Sequence, residues 1–332
     1  MRAVPPSATD AQRTGALECL SEPLGWYPRP VHEITETGPV AFGNGRFALR
    51  AALGTTPTGG VFLAEDRKTH KRCAVKLLDI SATSKETAAR FLAEARVLQA
   101  VKHPHIVHAW AQGQEDGFVW YAMDRLPASL RDHAKRKGPM PAALATAATM
   151  QVLSGLDAVH QKGLIHRDVK LTNVLVSEEG VVRIADFGVA HHPRGTVPFE
   201  TNPGQGFGTP GYGAPEQWDG SNPVGPAADV FATGVLLYRL MTGRRPDRLH
   251  MAHYRRTLLD GLPEPIKLVL ITATQVELEA RYPTARTMAE ALAEARNTIT
   301  RNEEATAWVE HLANPTRIAG PGWDALTDWF RR

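Results

Sequence analysis

The sequence has little cysteine: only Cys19 and Cys73 occur among its 332 residues. They lie far apart and lack the spacing of a metal site, so we expect no disulfide framework and a reducing, cytoplasmic compartment. No apolar run approaches the roughly 18 uninterrupted residues that a membrane helix needs. The first residues also lack the apolar core of a secretory signal. These absences predict a protein without a membrane span or an export signal.

The excess of one charge sign is small as well. Lys plus Arg number 38 and Asp plus Glu number 35, which gives a net charge of +3. This excess is too small to argue for a nucleic-acid partner. With 43% apolar and 22% charged residues, the composition is that of a globular protein with ample material for a buried core.

The pattern of the chain changes along its length. Residues 1–42 hold six prolines and little periodicity, which predicts an irregular N-terminal arm. Three short runs between Arg46 and Val75 are rich in β-branched and aromatic residues and predict an antiparallel sheet. The next segment, SATSKETAARFLAEARVLQAV, predicts a helix whose Thr83 and Glu86 have the spacing of a capping box. The remainder is mainly helical in its periodicity, which indicates a small β-rich lobe followed by a larger α-rich lobe.

The last residues, 301–332, form an unusually aromatic tail. Because so many aromatic side chains are costly to expose, we expect the tail to pack on the larger lobe. The alternative is an anchor for a partner or for self-association. The aromatic residues concerned are Trp308, Trp323, Trp329 and Phe330.

One polar loop, IHRDVKLTNVLV (residues 165–176), carries the side chains of Asp168, Lys170 and Asn173. Further on, VVRIADFGVA places Asp186 at the end of a strand, where an acid can leave the sheet and reach a metal ion. Phosphoryl transfer needs hard oxygen ligands for Mg²⁺, a carboxylate that orients the hydroxyl, and cations that offset phosphate charge. The sequence therefore holds most of the groups that this chemistry requires.

The missing cation is Lys76 in CAVK, on a predicted strand of the small lobe. A lysine that points into a half-buried cleft needs a carboxylate or phosphate partner. Glu94 lies close to the apolar face of the predicted helix and is the natural partner.

With these motifs in order, the sequence resembles the Hanks-type Ser/Thr protein kinases, in particular bacterial ones, over about residues 46–298. The resemblance implies an α+β, two-lobed protein kinase fold: a small N-terminal antiparallel β-lobe with one helix, then a larger α-helical C-terminal lobe. It implies a kinase domain at 43–300, with the N-lobe at about 43–123 and the C-lobe at about 127–300. Its cofactors would be ATP and Mg²⁺, with Mn²⁺ as a substitute, and its partners would be protein substrates.

The resemblance also implies the catalytic roles. Lys76 would grip the α- and β-phosphates and Glu94 would hold Lys76 in place. Asp168 would be the catalytic base and Lys170 would steady the γ-phosphate. The metal ligands would be Asn173 and Asp186.

The nucleotide cleft follows from the same resemblance. Met123 aligns with the gatekeeper, the Asp124 carbonyl and the Leu126 N–H would bind the adenine, and Val61 and Ala74 would cover its ring. The full implied set is Leu53, Gly54, Gly59, Val61, Ala74, Lys76, Met123, Asp124, Leu126, Asn173 and Asp186.

Substrate class and activation are implied by neighbouring positions. Lys170 together with Thr209 resembles Ser/Thr kinases and not tyrosine kinases. Arg167 is a cation that commonly accepts a phosphorylated activation loop in this family. The candidate phosphate acceptors are Thr201 and Thr196.

Further family marks are structural. They include GTPGYGAPE from Gly208, the helix acid Asp229, and Arg281, which pairs with Glu216 in the family. A small-molecule phosphotransferase would share the polar loop at residues 165–176, called the catalytic loop below, but would not be expected to show these marks.

The glycine-rich stretch LGTTPTGGVFLAED departs from the family pattern at its centre, where Thr56 replaces the second glycine and Pro57 removes one backbone amide. We expect a stiffer cover over the phosphates with fewer donors and a reduced rate or affinity. The alternative is a pseudokinase scaffold with impaired catalysis.

Overall fold

A computed structural model describes residues 41–187, 209–219, 224–245, 248–300 and 329–330. Several predictions concern positions outside the described residues. These are the arm before residue 41, the phosphorylation candidates Thr196 and Thr201, Gly208, and the tail residues Trp308 and Trp323.

The small lobe is an antiparallel sheet with strand order β1-β2-β3-β4-β6-β5. Strands β2, β3 and β4 are the three that the sequence predicts. The structure places the last two residues of the predicted arm, Ala41 and Phe42, in strand β1. The strands are β1 Ala41–Phe42, β2 Phe47–Thr56, β3 Gly59–Asp66, β4 Lys71–Asp79, β5 Ala109–Glu115 and β6 Phe118–Met123.

This sheet curls until its two edges meet. The Gly43 N–H, next to edge strand β1, donates a 2.7 Å hydrogen bond to the Glu115 carboxylate on edge strand β5. Gly43 has a φ of +69°, and a Cβ there would come within 3.0 Å of the Phe47 ring and 3.1 Å of the Trp120 ring. Glycine is therefore required at this turn. One face of the curled sheet is filled by Phe42, Phe47, Leu49, Phe62, Ala64, Cys73, Val75, Leu77, Trp120 and Ala122.

Helix α1, Lys85–Ala100, covers the other face of the sheet. Its buried side chains, Phe91, Glu94, Ala95 and Leu98, recur at helical spacing. The predicted capping box is wrong by one residue. The N-cap is Ser84, whose hydroxyl accepts the Thr87 N–H at 3.2 Å.

The larger lobe is built around helix α3, which is apolar nearly all round and therefore buried on most sides. It packs against α5 and α8, and α7 packs against both of these. A short sheet in the order β7-β8-β9 carries the catalytic loop and the strand before Asp186. The prediction of a two-lobed α+β fold is confirmed. The elements are β7 Ala128–Ser129, α2 Leu130–Lys137, α3 Ala142–His160, β8 Val174–Val176, β9 Val182–Ile184, α4 Glu216–Asp219, α5 Pro226–Thr242, α6 Ala252–Leu258, α7 Glu264–Ala273 and α8 Ala285–Thr300.

Within the described part of the chain, α3 is long and apolar enough to cross a bilayer by length and composition. Inside the protein, however, 72% of its apolar window is buried. That burial is what the central helix of a packed lobe requires.

The described tail residues, Trp329 and Phe330, contact helix α2. The ring centroids of Trp329 and Phe330 lie 5.9 and 4.5 Å from that of His133. Lys137 donates a hydrogen bond to the Trp329 carbonyl, and Phe330 joins the main core. For these two residues, the structure agrees with the expectation that the tail packs on the larger lobe.

Candidate active site

Lys76 lies at the centre of a charged cluster that joins the two lobes. Its ammonium is 3.0 Å from both oxygens of Glu94 and 3.3 Å from Oδ1 of Asp186. Strand β4 supplies Lys76, helix α1 supplies Glu94, and Asp186 follows strand β9. The structure thus brings together three residues that the sequence places far apart.

The Lys76 ammonium contacts two carboxylates, and the pKa values of these carboxylates shift in opposite directions. Burial lowers the pKa of Lys76, but Asp186 and Glu94 outweigh it and hold that pKa well above its ordinary value. Burial, aided by the charge of Asp186, raises the pKa of Glu94, which is 3% exposed. The charge of Lys76 lowers the pKa of Asp186. The ammonium and the Asp186 carboxylate are therefore both charged near neutral pH.

Asp168 lies in the catalytic loop, and three side chains hold its carboxylate. Its Oδ1 accepts the Thr209 hydroxyl at 2.7 Å, and its Oδ2 accepts Lys170 Nζ at 2.6 Å and Asn173 Nδ2 at 3.0 Å. Lys170 also donates to the Thr209 hydroxyl at 2.8 Å. A carboxylate held in this way can orient a hydroxyl nucleophile, and a cation stands beside it.

The catalytic loop rests on the fully buried Asp229 of helix α5. This carboxylate accepts the backbone N–H groups of His166 at 2.8 Å and Arg167 at 2.7 Å, and it contacts His160 Nε2 at 2.8 Å. Arg167 has a φ of 67°, which is unfavourable for a residue with a side chain. Burial alone would raise the pKa of Asp229, but the His160 hydrogen bond and charge contribute to keeping it below its ordinary value. Asp229 thus stabilises a strained backbone directly before Asp168.

Backbone contacts place the two predicted metal ligands side by side. The Ala185 N–H donates to the Asn173 carbonyl at 2.8 Å, so Asn173 lies next to the residue that precedes Asp186. His166 Nε2 hydrogen-bonds the Ala185 carbonyl at 3.0 Å, and its Nδ1 accepts the Asp168 N–H at 3.2 Å. The amide oxygen of Asn173 and the half-exposed carboxylate of Asp186 are hard donors that fit Mg²⁺.

The predicted adenine residues lie along the same cleft. Ala74 pairs with Met123 across strands β4 and β6, and Val61 pairs with Lys76 across β3 and β4. Directly paired residues project on the same face of a sheet, which places all four beside helix α1 and the cleft. Leu126 is half-buried just after β6.

The Asp124 side chain has a structural role in the segment that follows β6, residues 124–126. It accepts the Arg183 guanidinium at 2.6 Å and the His108 N–H at 3.2 Å. The adenine contacts of the Asp124 carbonyl and the Leu126 N–H remain predictions.

The glycine-rich stretch is an ordered hairpin with a two-residue turn, Pro57-Thr58, between the paired residues Thr56 and Gly59. Neither turn residue has a positive φ, so this is not one of the primed turns that two-residue hairpins favour. Proline suits the first central position of an ordinary type I turn. The Thr58 carbonyl accepts the Asp79 N–H at 2.8 Å, which fastens the turn to the end of β4.

The glycines of the hairpin differ in the space around them. A Cβ at Gly59 would lie 2.2 Å from the Leu77 carbonyl oxygen, whereas a Cβ at Gly54 would meet nothing within 4 Å. Leu53, the neighbour of Gly54, is 41% exposed. Gly59 is therefore needed for strand packing, and Gly54 and Leu53 remain available to a ligand.

The predicted pair Glu216–Arg281 forms in the core. Both side chains are buried, and the guanidinium meets the carboxylate at 2.7 and 2.8 Å in a two-pronged contact. Arg281 also donates to the carbonyls of Gln275 and Val276. This pair connects the segment after Thr209 to the end of the larger lobe.

Three residues of the site escaped the sequence reasoning. Tyr121 donates a 2.7 Å hydrogen bond to Glu94, His160 contacts Asp229 at 2.8 Å, and Gln217 donates to the Arg167 carbonyl at 2.9 Å. Only Tyr121 carried a sequence signal, because strand alternation places it on the face of Met123, two residues later. The other two depend on the tertiary fold.

Comparison with known proteins agrees with this geometry. A family model described as "Protein kinase domain" matches residues 47–309. The chain is 31% identical over 266 residues to the serine/threonine-protein kinase PknL of Mycobacterium tuberculosis, covering 75% of this chain and 66% of PknL. It is 28% identical over 286 residues to the serine/threonine-protein kinase PrkC of Bacillus subtilis, covering 79% of this chain and 44% of PrkC. The chain thus spans two thirds or less of the length of these curated relatives. The site and the match over residues 47–309 together establish that the chain belongs to the protein kinase domain family.

Proposed function

We propose that this chain is an ATP-dependent, Mg²⁺-requiring Ser/Thr protein kinase that transfers the γ-phosphoryl group to hydroxyls of proteins. The observation that carries the proposal is the contact of Lys76 with both Glu94 and Asp186, at 3.0 and 3.3 Å, in the same structure that holds Asp168 and Asn173 in place. A protein without phosphoryl-transfer activity would not need the ammonium, the carboxylates and the amide of these residues in one cleft.

Each residue has a task in the transfer. Asp168 orients the substrate hydroxyl and accepts its proton, because Thr209, Lys170 and Asn173 fix its carboxylate. Lys170, 2.6 Å from Asp168, offsets the charge of the transferred phosphoryl group. Lys76 holds the phosphates that remain on the nucleotide. Mg²⁺, held by Asn173 and Asp186, would neutralise phosphate charge when bound.

The preference for Ser and Thr rests on Thr209 and Lys170. Both contact Asp168, so they border the place where the acceptor hydroxyl must lie. The relatives PknL and PrkC are named as Ser/Thr kinases, which agrees with this assignment.

Arg167 supports activation by phosphorylation at Thr201 or Thr196. Its Nε is buried and has no hydrogen-bond partner among the residues that the structure describes. Burial lowers the pKa of the guanidinium, and the charge of Asp229 only partly opposes this effect, so a phosphate would add an acceptor and a second negative charge beside Arg167.

Transfer of labelled γ-phosphate from Mg²⁺-ATP, to the chain itself and to a generic basic protein, tests the proposal. Asp168→Asn should reduce the rate by about 10²–10⁴-fold, because it removes the base. Lys76→Met should also remove the label. The matched control is Asp260→Asn, at an exposed position between α6 and α7, which should leave the rate unchanged.

A wild-type chain that transfers no phosphate, although ATP still raises its unfolding temperature, would reject the proposal. The hairpin with Thr56 and Pro57 would then favour the alternative, a nucleotide-binding pseudokinase scaffold. Label in the wild type that persists in Asp168→Asn would assign the activity to a contaminant.

A further inference from the structure

We propose that Tyr121 is a positioning residue of the kinase site, whose hydroxyl holds the Glu94 carboxylate toward Lys76. The proposal rests on the proposed function, since it assigns a further residue to the same site. It concerns a contact between helix α1 and strand β6 that does not pass through Lys76.

The sheet places Tyr121 next to Lys76. In the antiparallel ladder Lys76 on β4 pairs directly with Tyr121 on β6, so both side chains project on the face that helix α1 covers. Tyr121 is 1% exposed, and its ring centroid lies 5.0 Å from that of Phe91 on α1. Lys76 Nζ lies 5.8 Å from each of these two ring centroids.

The hydroxyl makes one specific contact. Tyr121 donates to Glu94 Oε1 at 2.7 Å, while Lys76 contacts both oxygens of Glu94 at 3.0 Å. Glu94 Oε1 therefore has two donors from two neighbouring strands. If Lys76 were the sole donor, the Glu94 carboxylate could rotate about its Cγ–Cδ bond. The second donor, the Tyr121 hydroxyl, fixes the plane of the carboxylate.

The charge balance explains why a second donor is useful here. Lys76 is the ammonium shared by Glu94 and Asp186, and a nucleotide would add phosphate charge to the same cation. Glu94 is the more buried of the two carboxylates and pays the larger desolvation cost. A neutral hydroxyl stabilises the charged carboxylate without adding another charge to the cleft.

A purely structural role is the competing explanation, because Tyr121 is also a core residue. Tyr121→Phe separates the two, since it removes only the hydroxyl and keeps the ring against Phe91. Tyr238→Phe is the matched control. The Tyr238 hydroxyl is equally buried, on helix α5, and has no hydrogen-bond partner among the described residues.

The experiment measures ATP affinity by equilibrium binding, together with kcat and kcat/KM for ATP, in the wild type and both variants. Tyr121→Phe should lower kcat/KM for ATP by about tenfold or more, the effect expected for a lost hydrogen bond to a charged group. It should also weaken ATP binding. Tyr238→Phe should change neither quantity. In a Glu94→Gln background, Tyr121→Phe should have a much smaller effect, because its target is already altered.

The pH dependence of ATP binding is a further test, because a Tyr121 side chain that served only for packing would not change it. Glu94 faces Lys76 from β4, Tyr121 from β6 and Asp186 from the end of β9. The Tyr121 hydrogen bond lowers the pKa of Glu94, so its removal raises that pKa. Protonation of Glu94 breaks its ion pair with Lys76, and the acid limb of ATP binding, which does not require Asp168 as a base, should therefore move to higher pH in Tyr121→Phe alone.

Unchanged ATP binding and an unmoved acid limb in Tyr121→Phe would overturn the proposal. So would an equal loss in the Glu94→Gln background, which would indicate a packing effect. A wild type that binds ATP but transfers no phosphate would reject the proposed function instead, and the comparison of ATP affinities would still decide the role of Tyr121.

Discussion

Two loops face the same cleft, and they are held in different ways. The catalytic loop around Asp168 is fixed by side chains from outside it, above all by Asp229 on helix α5 and Thr209. The hairpin at Pro57 is fixed by its own turn, by the contact of Thr58 with the end of β4, and by the backbone ladder that joins β3 to β4. The loop around Asp168 thus depends on side chains that are distant in the sequence, whereas the hairpin depends on backbone contacts within the small-lobe sheet. The departure at Thr56 and Pro57 from the family pattern lies in this second loop.

The largest expected effect is the loss of Asp229. Asp229→Ala leaves the buried N–H groups of His166 and Arg167 without an acceptor and removes the contact to His160. We expect the free energy of unfolding, measured with guanidinium, to fall by about 3–5 kcal/mol. Phosphate transfer should fall with it, because Arg167 loses the contact that supports its strained backbone.

Asp157→Ala is the control for this change. Asp157 lies on helix α3 near His160, but its carboxylate accepts from the exposed side chains of Arg286 at 2.7 Å and Gln161 at 2.8 Å. A surface pair of this kind contributes about 1 kcal/mol or less. Equal losses in the two variants would contradict the view that buried contacts fix the catalytic loop.

The next prediction compares two glycines of the hairpin. Gly59→Ala places a methyl group 2.2 Å from the Leu77 carbonyl, so strand β3 must move away from β4. We expect a loss of about 1–3 kcal/mol in the free energy of unfolding and weaker ATP binding. Gly54→Ala meets open space and should stay within about 0.5 kcal/mol of the wild type. Similar losses in both would show that the hairpin is not held where the structure places it.

The sequence grouped residues that the structure brings together around one cleft, because their spacing along the chain reflects local structure. Their catalytic roles stay predictions. Asp168, Lys170 and Asn173 share one loop, and the strand before Asp186 sets the position of that acid. The pairing of Lys76 with Glu94 followed from the cost of leaving either charge unpaired in a half-buried cleft. Those arguments need no knowledge of the rest of the fold.

Other features could not be read from the sequence in the same way. The helix start was assigned to Thr83 instead of Ser84, because both residues can cap a helix and only the backbone geometry selects one. The contact of His160 with Asp229 joins residues 69 positions apart. Tyr121 was not singled out from the sequence, although its hydroxyl meets the one buried carboxylate of helix α1.

The smallest expected effect concerns Pro57. Proline lacks an amide at the tip of the hairpin and also limits the unfolded chain. Pro57→Ala restores the amide, and Pro57→Gly restores it with added flexibility. Both should bind ATP more tightly, by a few-fold, because a donor returns near the phosphates. Pro57→Ala should lower the free energy of unfolding by about 0.4–1 kcal/mol, and Pro57→Gly should lower it further, because each gives the unfolded chain more freedom.

Equilibrium ATP binding and guanidinium unfolding of the two variants together separate the amide from the flexibility. If Pro57→Ala binds ATP like the wild type and Pro57→Gly binds it more tightly, the stiffness of the hairpin, and not the missing amide, limits ATP affinity. If neither variant changes ATP affinity, the hairpin contributes no amide at this position to the phosphates. The departure at Thr56 and Pro57 would then be neutral for nucleotide binding. The two loops would differ more strongly, because the rate of phosphate transfer would depend on the catalytic loop and not on the hairpin.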